Sequence, residues 1–293
     1  MNAFDRAGAA WDGGIERARH RSRAFDHAWR ARQRYGEVIG GRLAAAMAYY
    51  GFFATFALGL LAYSVLGFVL ANNQAAFAVA DKFLRTNLPW LHPEDILRVR
   101  GTVAIVGLIG LVFTGIAWVE AMRSSQRQVW RLEPQPGNVV IRRLVDLGVL
   151  VGLGFMLSLS LWLSNWATSL LPLDWFGTLS SLAVNVLLAA GLLSGVPRLR
   201  MPVRRLLPAA TLVGVGLFIL ATLGSFVINR TRDNPAYSVV AGAAGLLVFL
   251  YLFSQLLLYG AALAATGTTG EVRDLAAGPP ASDAPDRQPD DRG

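Results

Sequence analysis

Six long stretches of apolar residues, separated by short polar or basic segments, organise this chain of 293 residues. The stretches cover residues 44–70, 101–122, 144–170, 176–196, 206–228 and 237–265. Each is long enough to cross the hydrocarbon layer as a helix, because about 20 helical residues span it. The pattern therefore predicts an all-α fold, a polytopic membrane helix bundle with about six transmembrane helices between residues 43 and 266.

Two polar segments flank this apolar part of the chain. Residues 1–42 are rich in arginine, and Phe25, Trp29 and Tyr35 recur among the arginines at near-helical spacing. This pattern predicts an N-terminal amphipathic helix lying on the membrane surface, and a frayed polar tail is an equally open alternative. Residues 267–293 are rich in Pro, Asp, Gly and Ala, so we expect a disordered cytoplasmic tail there.

The distribution of basic residues predicts the orientation of the bundle. Of the 27 basic residues, 21 lie in segments 1–42, 122–143, 197–205 and 270–293, and 6 lie in the alternate loops. An excess of this kind marks the cytoplasmic side of a membrane protein. We therefore expect a protein of the bacterial cytoplasmic (inner) membrane with both termini in the cytoplasm, which requires an even number of spans.

The net charge of +8 bears on the partners of the protein. In a soluble protein it would favour nucleic acid, but here the basic residues flank apolar stretches, so anionic lipid headgroups are the expected partners and nucleic acid is not. Within the N-terminal arm we assign headgroup binding to Arg30, Arg32, Arg34 and Arg42.

Residues that could support enzyme chemistry are scarce in this sequence. The chain has no cysteine, and its three histidines, His20, His27 and His92, lie outside the apolar stretches. No two histidines have metal-ligand spacing on one span, and a phosphate-loop motif is absent. We therefore expect no cofactor, no metal and no enzymatic activity.

Polar side chains at membrane depth are the candidate substrate-binding residues, because such groups are costly in hydrocarbon. They are Tyr49, Tyr50, Glu120, Ser158, Ser164, Asn165, Thr168 and Asn185. Ser158, Asn165 and Thr168 fall roughly on one helical face and could line a polar cavity. Hydrogen bonding between neighbouring helices is the alternative, and the commoner, use of such residues.

Two carboxylates lie near the inner ends of predicted spans. Glu120 is three residues from Arg123, and Asp146 is three and four residues from Arg143 and Arg142. These spacings suit ion pairs along one helix. Ordinary charge compensation at a helix end is the simpler interpretation of both pairs.

Glycine pairs in the spans suit close contact between helices. Gly148 and Gly152 form one such pair, and Gly191 and Gly195 form another. The spacing fits a tight bundle, a hinge or the face of a homo-oligomer equally well.

Three stretches together resemble a known family. They are Arg42-Leu-Ala-Ala-Ala-Met-Ala-Tyr-Tyr-Gly-Phe-Phe in the first span, Leu207-Pro-Ala-Ala in the fifth, and Tyr237-Ser-Val-Val-Ala-Gly-Ala-Ala-Gly in the sixth. Their order and spacing, over roughly residues 25–265, are similar to the YihY/virulence factor BrkB family of bacterial inner-membrane proteins, once mislabelled as ribonucleases. Ala262 stands where that family usually has a glutamate, so an ion-coupled mechanism through that carboxylate is not expected here.

The resemblance implies an envelope-linked protein with a suspected role in moving lipid or lipid-linked molecules. Two hypotheses follow. The first is a transporter or flippase of a lipid or lipid-like amphiphile, and the second is a non-transporting scaffold that binds an envelope partner or anionic lipid through its N-terminal arm. Transport predicts that apolar replacement of Asn185 and Ser164 abolishes function, whereas the scaffold predicts that charge reversal at Arg30, Arg32 and Arg34 does so.

Overall fold

The computed structural model describes residues 13, 15–72, 93–135, 137–170, 174–231 and 235–277. Within them the chain forms seven long helices and two very short strands. The helices are α1 Arg23–Glu37, α2 Gly40–Asn72, α3 Pro93–Val129, α4 Val139–Leu170, α5 Asp174–Ser194, α6 Val203–Thr231 and α7 Pro235–Ala265. The strands are β1 Leu199–Arg200 and β2 Arg273–Asp274, which pair antiparallel.

Four helices contain described stretches that are long and apolar enough to cross a membrane. These are Gly40–Leu61, Gly101–Val129, Val203–Gly224 and Gly242–Ala265, and Ser181–Ser194 is a shorter apolar stretch of α5. The prediction of a helical, multi-span membrane protein is confirmed. The count of six spans stays a prediction, although α2 to α7 coincide in sequence with the six apolar stretches.

The N-terminal arm contributes α1, which lies against α7. The side chain of Ser22 caps the helix by accepting a hydrogen bond from the Phe25 N–H at 3.3 Å. Near its other end, Tyr35 stacks on Tyr259 of α7 with ring centroids 4.0 Å apart. Since a Cβ at position 40 would overlap the Tyr35 ring, Gly40 lets the chain turn closely around this stack into α2.

The tightly packed core lies at the end of the bundle that carries the basic loops, which we call the inner end. Fully buried core residues come from the ends of several helices there, among them Met47, Met122, Leu193, Val213 and Leu258. Away from this end, large apolar side chains are exposed around the bundle. Such a surface suits lipid contact, because hydrocarbon solvates apolar side chains as well as a protein interior does.

Close contacts between helices in the inner half of the bundle depend on glycine, which has no side chain. A Cβ at Gly214 of α6 would lie 2.7 Å from the Cα of Val186 in α5. The backbones of α5 and α6 therefore approach as near as glycine allows. The predicted Gly148 and Gly152 pair does not work in this way, because a Cβ at either position would have no atom of the described residues within 4 Å.

Part of the predicted disordered tail has a defined structure. Residues 267–277 cross the inner end of the bundle, where Leu199 lies opposite Asp274 and Arg200 opposite Arg273. The N–H of Leu275 also donates to the carbonyl of Arg198 at 3.0 Å. Composition favoured disorder, but these backbone bonds and a buried arginine described below stabilise the segment. Residues 278–293 lie outside the described part of the chain.

Candidate functional site

Charged side chains are buried inside the inner end of the bundle, where sequence analysis expected a basic loop. Helix α3 continues seven residues beyond the predicted span end at Met122, to Val129. Arg123 and Arg127 are 2% and 1% exposed, and Gln126 is fully buried. The expectation that Arg123 and Arg127 lie in a loop is therefore wrong: both belong to α3, and each finds a carboxylate partner that permits its burial.

Two ion pairs connect α3 to α4. Arg123 pairs with Asp146, and both side chains are almost completely buried. Glu120 pairs with Arg143 at 2.5 Å in a more exposed position. The carboxylates thus pair between helices and not along one helix, which their spacing had allowed. We call these four residues the ion-pair layer.

Arg127 attaches the C-terminal segment to the same end of the bundle. Its two terminal nitrogens donate to the two carboxylate oxygens of Asp274 at 2.9 and 2.7 Å. Its remaining bonds go to the carbonyls of Pro197 at 3.0 Å and Glu133 at 2.6 Å. Hydrogen bonding to Arg127 lowers the pKa of Asp274 below its usual range, and partial burial opposes that shift.

Other polar groups at this level bind loops and helices together. Gln126 donates to the carbonyl of Leu192 in α5 at 3.2 Å. Arg142 donates to the carbonyl of Gln135 at 3.1 Å. Within the described residues, Arg123 Nε and Nη2 and Asp146 Oδ2 have no hydrogen-bond partner. The Arg123–Asp146 pair is therefore balanced in charge but lacks some of its hydrogen bonds. Burying such a pair costs folding free energy, which suggests a functional role.

Helix α4 contacts α3 along one face and is open on the other. Val149 and Leu150 pack against the core on the same face as Asp146. On the opposite face, Val151 and Phe155 are 64% and 67% exposed. The ion-pair layer is thus the main polar connection of the described part of α4 to the rest of the bundle.

Comparison with known proteins places the chain in a family. The family model described as virulence factor BrkB matches residues 31–284. The chain belongs to the virulence factor BrkB family. It is 26% identical over 270 residues to the inner membrane protein YhjD of Escherichia coli (strain K12), covering 82% of this chain and 80% of that protein. An uncharacterized protein of Dickeya dadantii (strain 3937) is 27% identical over 274 residues, covering 83% of each chain. No solved structure matches.

Membership of the BrkB family confirms the predicted resemblance. Together with the apolar helices, the similarity to a named inner membrane protein shows a multi-pass protein of the inner membrane. The orientation of the termini stays a prediction. Ala262 is fully buried in α7 at the inner end.

The structure brings one of the eight predicted substrate-binding residues of this BrkB protein into the ion-pair layer, namely Glu120. Tyr49 and Tyr50 are 56% and 41% exposed on α2, in edge-to-face contact with each other. Asn185 is half-buried in α5. Ser158, Ser164, Asn165 and Thr168 lie on α4, but their side chains are outside the described part of the chain. The polar cavity along Ser158, Asn165 and Thr168 therefore stays a prediction.

The four arginines predicted to bind lipid headgroups lie on or just after α1. Arg30 contacts Asp26 at 3.1 Å and Arg34 contacts Glu37 at 3.4 Å. Arg32 lies over the Trp29 ring at 5.1 Å, and Arg42 is exposed at the start of α2. They do not form one cluster, and Arg30 alone of the four lines the cleft described below.

Sequence reasoning missed Arg123, Arg127, Asp146 and Asp274 as members of a buried network. One signal could have revealed the first two. Neither proline nor glycine occurs between residues 116 and 133, so nothing in the sequence ends the helix at residue 122. The partners themselves are far apart in sequence, Arg127 and Asp274 by 147 residues, and no local pattern connects them.

Proposed function

We propose that this BrkB-family protein is a transporter or flippase of a lipid or lipid-like amphiphile linked to the cell envelope, and that it is not an enzyme. The observation that carries the proposal is the ion-pair layer between α3 and α4, whose Arg123–Asp146 pair is almost completely buried. Ionisable groups within membrane helices are costly, and they commonly mark pathways or the elements that open them. We assign the layer the role of an inner gate.

The surroundings of the layer support a gate for an amphiphile. Beyond the layer, the open face of α4 carries exposed apolar residues and the bare positions Gly148 and Gly152. An acyl chain could remain in the bilayer against this smooth face while a polar headgroup passes between α3 and α4. In this proposal the inner end faces the cytoplasm, as the excess of arginine there favours.

A reconstituted flipping assay tests the proposal. The purified protein is placed in vesicles with fluorescent phospholipids, and loss of fluorescence is followed after a membrane-impermeant quencher is added. Wild-type protein is expected to accelerate exchange between leaflets relative to empty vesicles. No acceleration with several different lipids would contradict transport.

The Glu120→Gln variant tests the assigned gate. It removes one charge from the layer and keeps the shape of the side chain, so the attraction between α3 and α4 at the inner end is weaker. Because a partly exposed ion pair contributes up to about 1 kcal/mol, exchange should accelerate by up to about fivefold. Glu133→Gln is the matched control, since the Glu133 side chain is exposed and has no ion pair within the described residues. Equal rates for the two variants would remove the gate from the proposal.

The scaffold hypothesis predicts a different ranking of variants. It requires the arm, so charge reversal at Arg30, Arg32 and Arg34 should abolish function while Glu120→Gln leaves it intact. The transport proposal expects that charge reversal in the arm leaves function intact and that Glu120→Gln changes it. A growth or envelope-integrity assay in cells that depend on the protein compares the two sets directly.

A further inference from the structure

The N-terminal arm, the start of α6 and the segment after α7 enclose a cleft of about 360 Å³ at the inner end of the bundle. Five arginines line it, three from the arm and two from the first turn of α6: Arg19, Arg23, Arg30, Arg204 and Arg205. Asp26 is the one carboxylate among the described lining residues. The cleft therefore has a large excess of positive charge.

The single carboxylate is already engaged by two of the arginines. Asp26 accepts from Arg19 Nε at 2.9 Å and contacts Arg30 Nε at 3.1 Å. Arg205 donates to the carbonyls of Ala264 and Ala265, at the C-terminus of α7, at 2.7 and 3.0 Å. In the part of the chain that the structure describes, Arg23 and Arg204 have no carboxylate partner, and both are exposed. These two guanidinium groups can bind an anion.

Uncharged donors lie beside them. Thr268 and Thr269 line the cleft, and within the described residues no backbone acceptor takes the N–H of either one. Helix α6 begins at Val203, so the positive end of its dipole lies next to Arg204. Backbone N–H groups, hydroxyls and a helix N-terminus together with guanidinium groups form the donor set that tetrahedral oxyanions prefer.

We propose that this cleft binds a phosphate group. A carboxylate offers two oxygens in one plane and could not engage Arg23, Arg204 and the threonine donors from different sides at once. A phosphate offers three or four oxygens in a tetrahedron and matches donors that come from three separate segments. Guanidinium groups bind phosphate in a bidentate manner, which adds to the selectivity.

The phosphate can belong to a phospholipid headgroup or to a soluble molecule. Val203 and Leu207 are 70% and 53% exposed on α6 beside the cleft, so an apolar surface begins where the basic surface ends. That position suits the membrane interface. The site goes beyond the transport proposal, because it uses none of the residues of the ion-pair layer and could bind without any flipping.

Binding to the full-length protein in detergent tests the inference. Native mass spectrometry measures bound dioleoyl phosphatidic acid and bound oleic acid, and calorimetry measures inorganic phosphate. The test variant is Arg23→Gln with Arg204→Gln. The matched control is Arg21→Gln with Arg200→Gln, which removes the same charge from the arm and from β1, just before α6, but leaves the lining of the cleft unchanged. Thermal unfolding shows that both fold, and if the test variant does not, Arg204→Gln is compared with Arg200→Gln.

Phosphatidic acid affinity should fall by about tenfold or more in the test variant and stay near wild type in the control, since hydrogen bonds to charged groups are worth roughly one factor of ten or more. The same selective loss for inorganic phosphate assigns a soluble source, and loss for the lipid alone assigns a headgroup. Three results would overturn the inference. They are equal weakening in both variants, equal binding of oleic acid through the same residues, and no binding of either phosphatidic acid or inorganic phosphate.

Discussion

Replacing Asp146 by asparagine should destabilise the protein strongly. Asp146 and its partner Arg123 are 1% and 2% exposed, so water cannot replace the lost carboxylate. Asparagine has nearly the same shape, which limits the change to charge. Arg123 would then remain buried without its contacting carboxylate; Glu120 still attracts it, but Arg127, Arg142 and Arg143 lie close enough to repel it.

The size of the effect follows from the burial of the pair. Breaking a buried ion pair by removing one partner costs about 3–5 kcal/mol, because it leaves an uncompensated charge in a medium of low dielectric constant. For a chain of this size that corresponds to a fall in Tm on the order of 10 °C. Replacing both partners, as Arg123→Met with Asp146→Leu, should cost much less than Asp146→Asn alone, because no lone charge remains.

Thermal unfolding of the purified protein in a mild detergent measures all three forms. The control is Asp26→Asn, which removes a carboxylate that contacts two partly exposed arginines in the arm, Arg19 and Arg30, and should shift Tm little. The reasoning is refuted if Asp146→Asn changes stability by less than about 1 kcal/mol, the value of an exposed pair. It is also refuted if the double variant is less stable than Asp146→Asn.

Two further predictions concern helix contact and the C-terminal segment. Gly214→Ala should destabilise the bundle by about 1–3 kcal/mol, because its Cβ would press on Val186. Gly242→Ala, where the new Cβ meets no described atom within 4 Å, should be close to neutral in the same unfolding assay. The lowered pKa of Asp274 means that its bond to Arg127 stabilises the segment above the ordinary aspartate pKa of about 4 and is lost as pH falls through the lower folded value. A fluorophore at the C-terminus should therefore report release of the segment from the bundle only in acid for the wild type. For Asp274→Asn it should report release already at pH 7. Release of the segment at pH 6 in the wild type would contradict this prediction.

The positions of the helices could be predicted from the sequence, because each depends on a long local run of apolar residues. Helices α2 and α7 contain the predicted spans 44–70 and 237–265 almost unchanged. Helix length in hydrocarbon is set by the thickness of the layer, and that constraint is visible in any single sequence.

The candidate site could not be predicted in the same way, because its members meet only after folding. The sequence placed Arg123 and Arg127 in the basic segment 122–143, outside the predicted spans, since an unpaired arginine is rarely buried. The partners Asp146 and Asp274 lie on other elements, and a single sequence does not show which helices become neighbours. The polar face of Ser158, Asn165 and Thr168 was chosen for its spacing, and it stays a prediction.

A reversible lock across the ion-pair layer tests the central claim most directly. The chain has no cysteine, so Glu120→Cys with Arg143→Cys provides the only two thiols for a bifunctional methanethiosulfonate crosslinker that a reductant removes. In proteoliposomes, we predict that crosslinking stops lipid exchange between the leaflets and that reduction restores it to the rate of the uncrosslinked variant. Exchange that continues at the same rate with the crosslink in place would contradict a gate between α3 and α4.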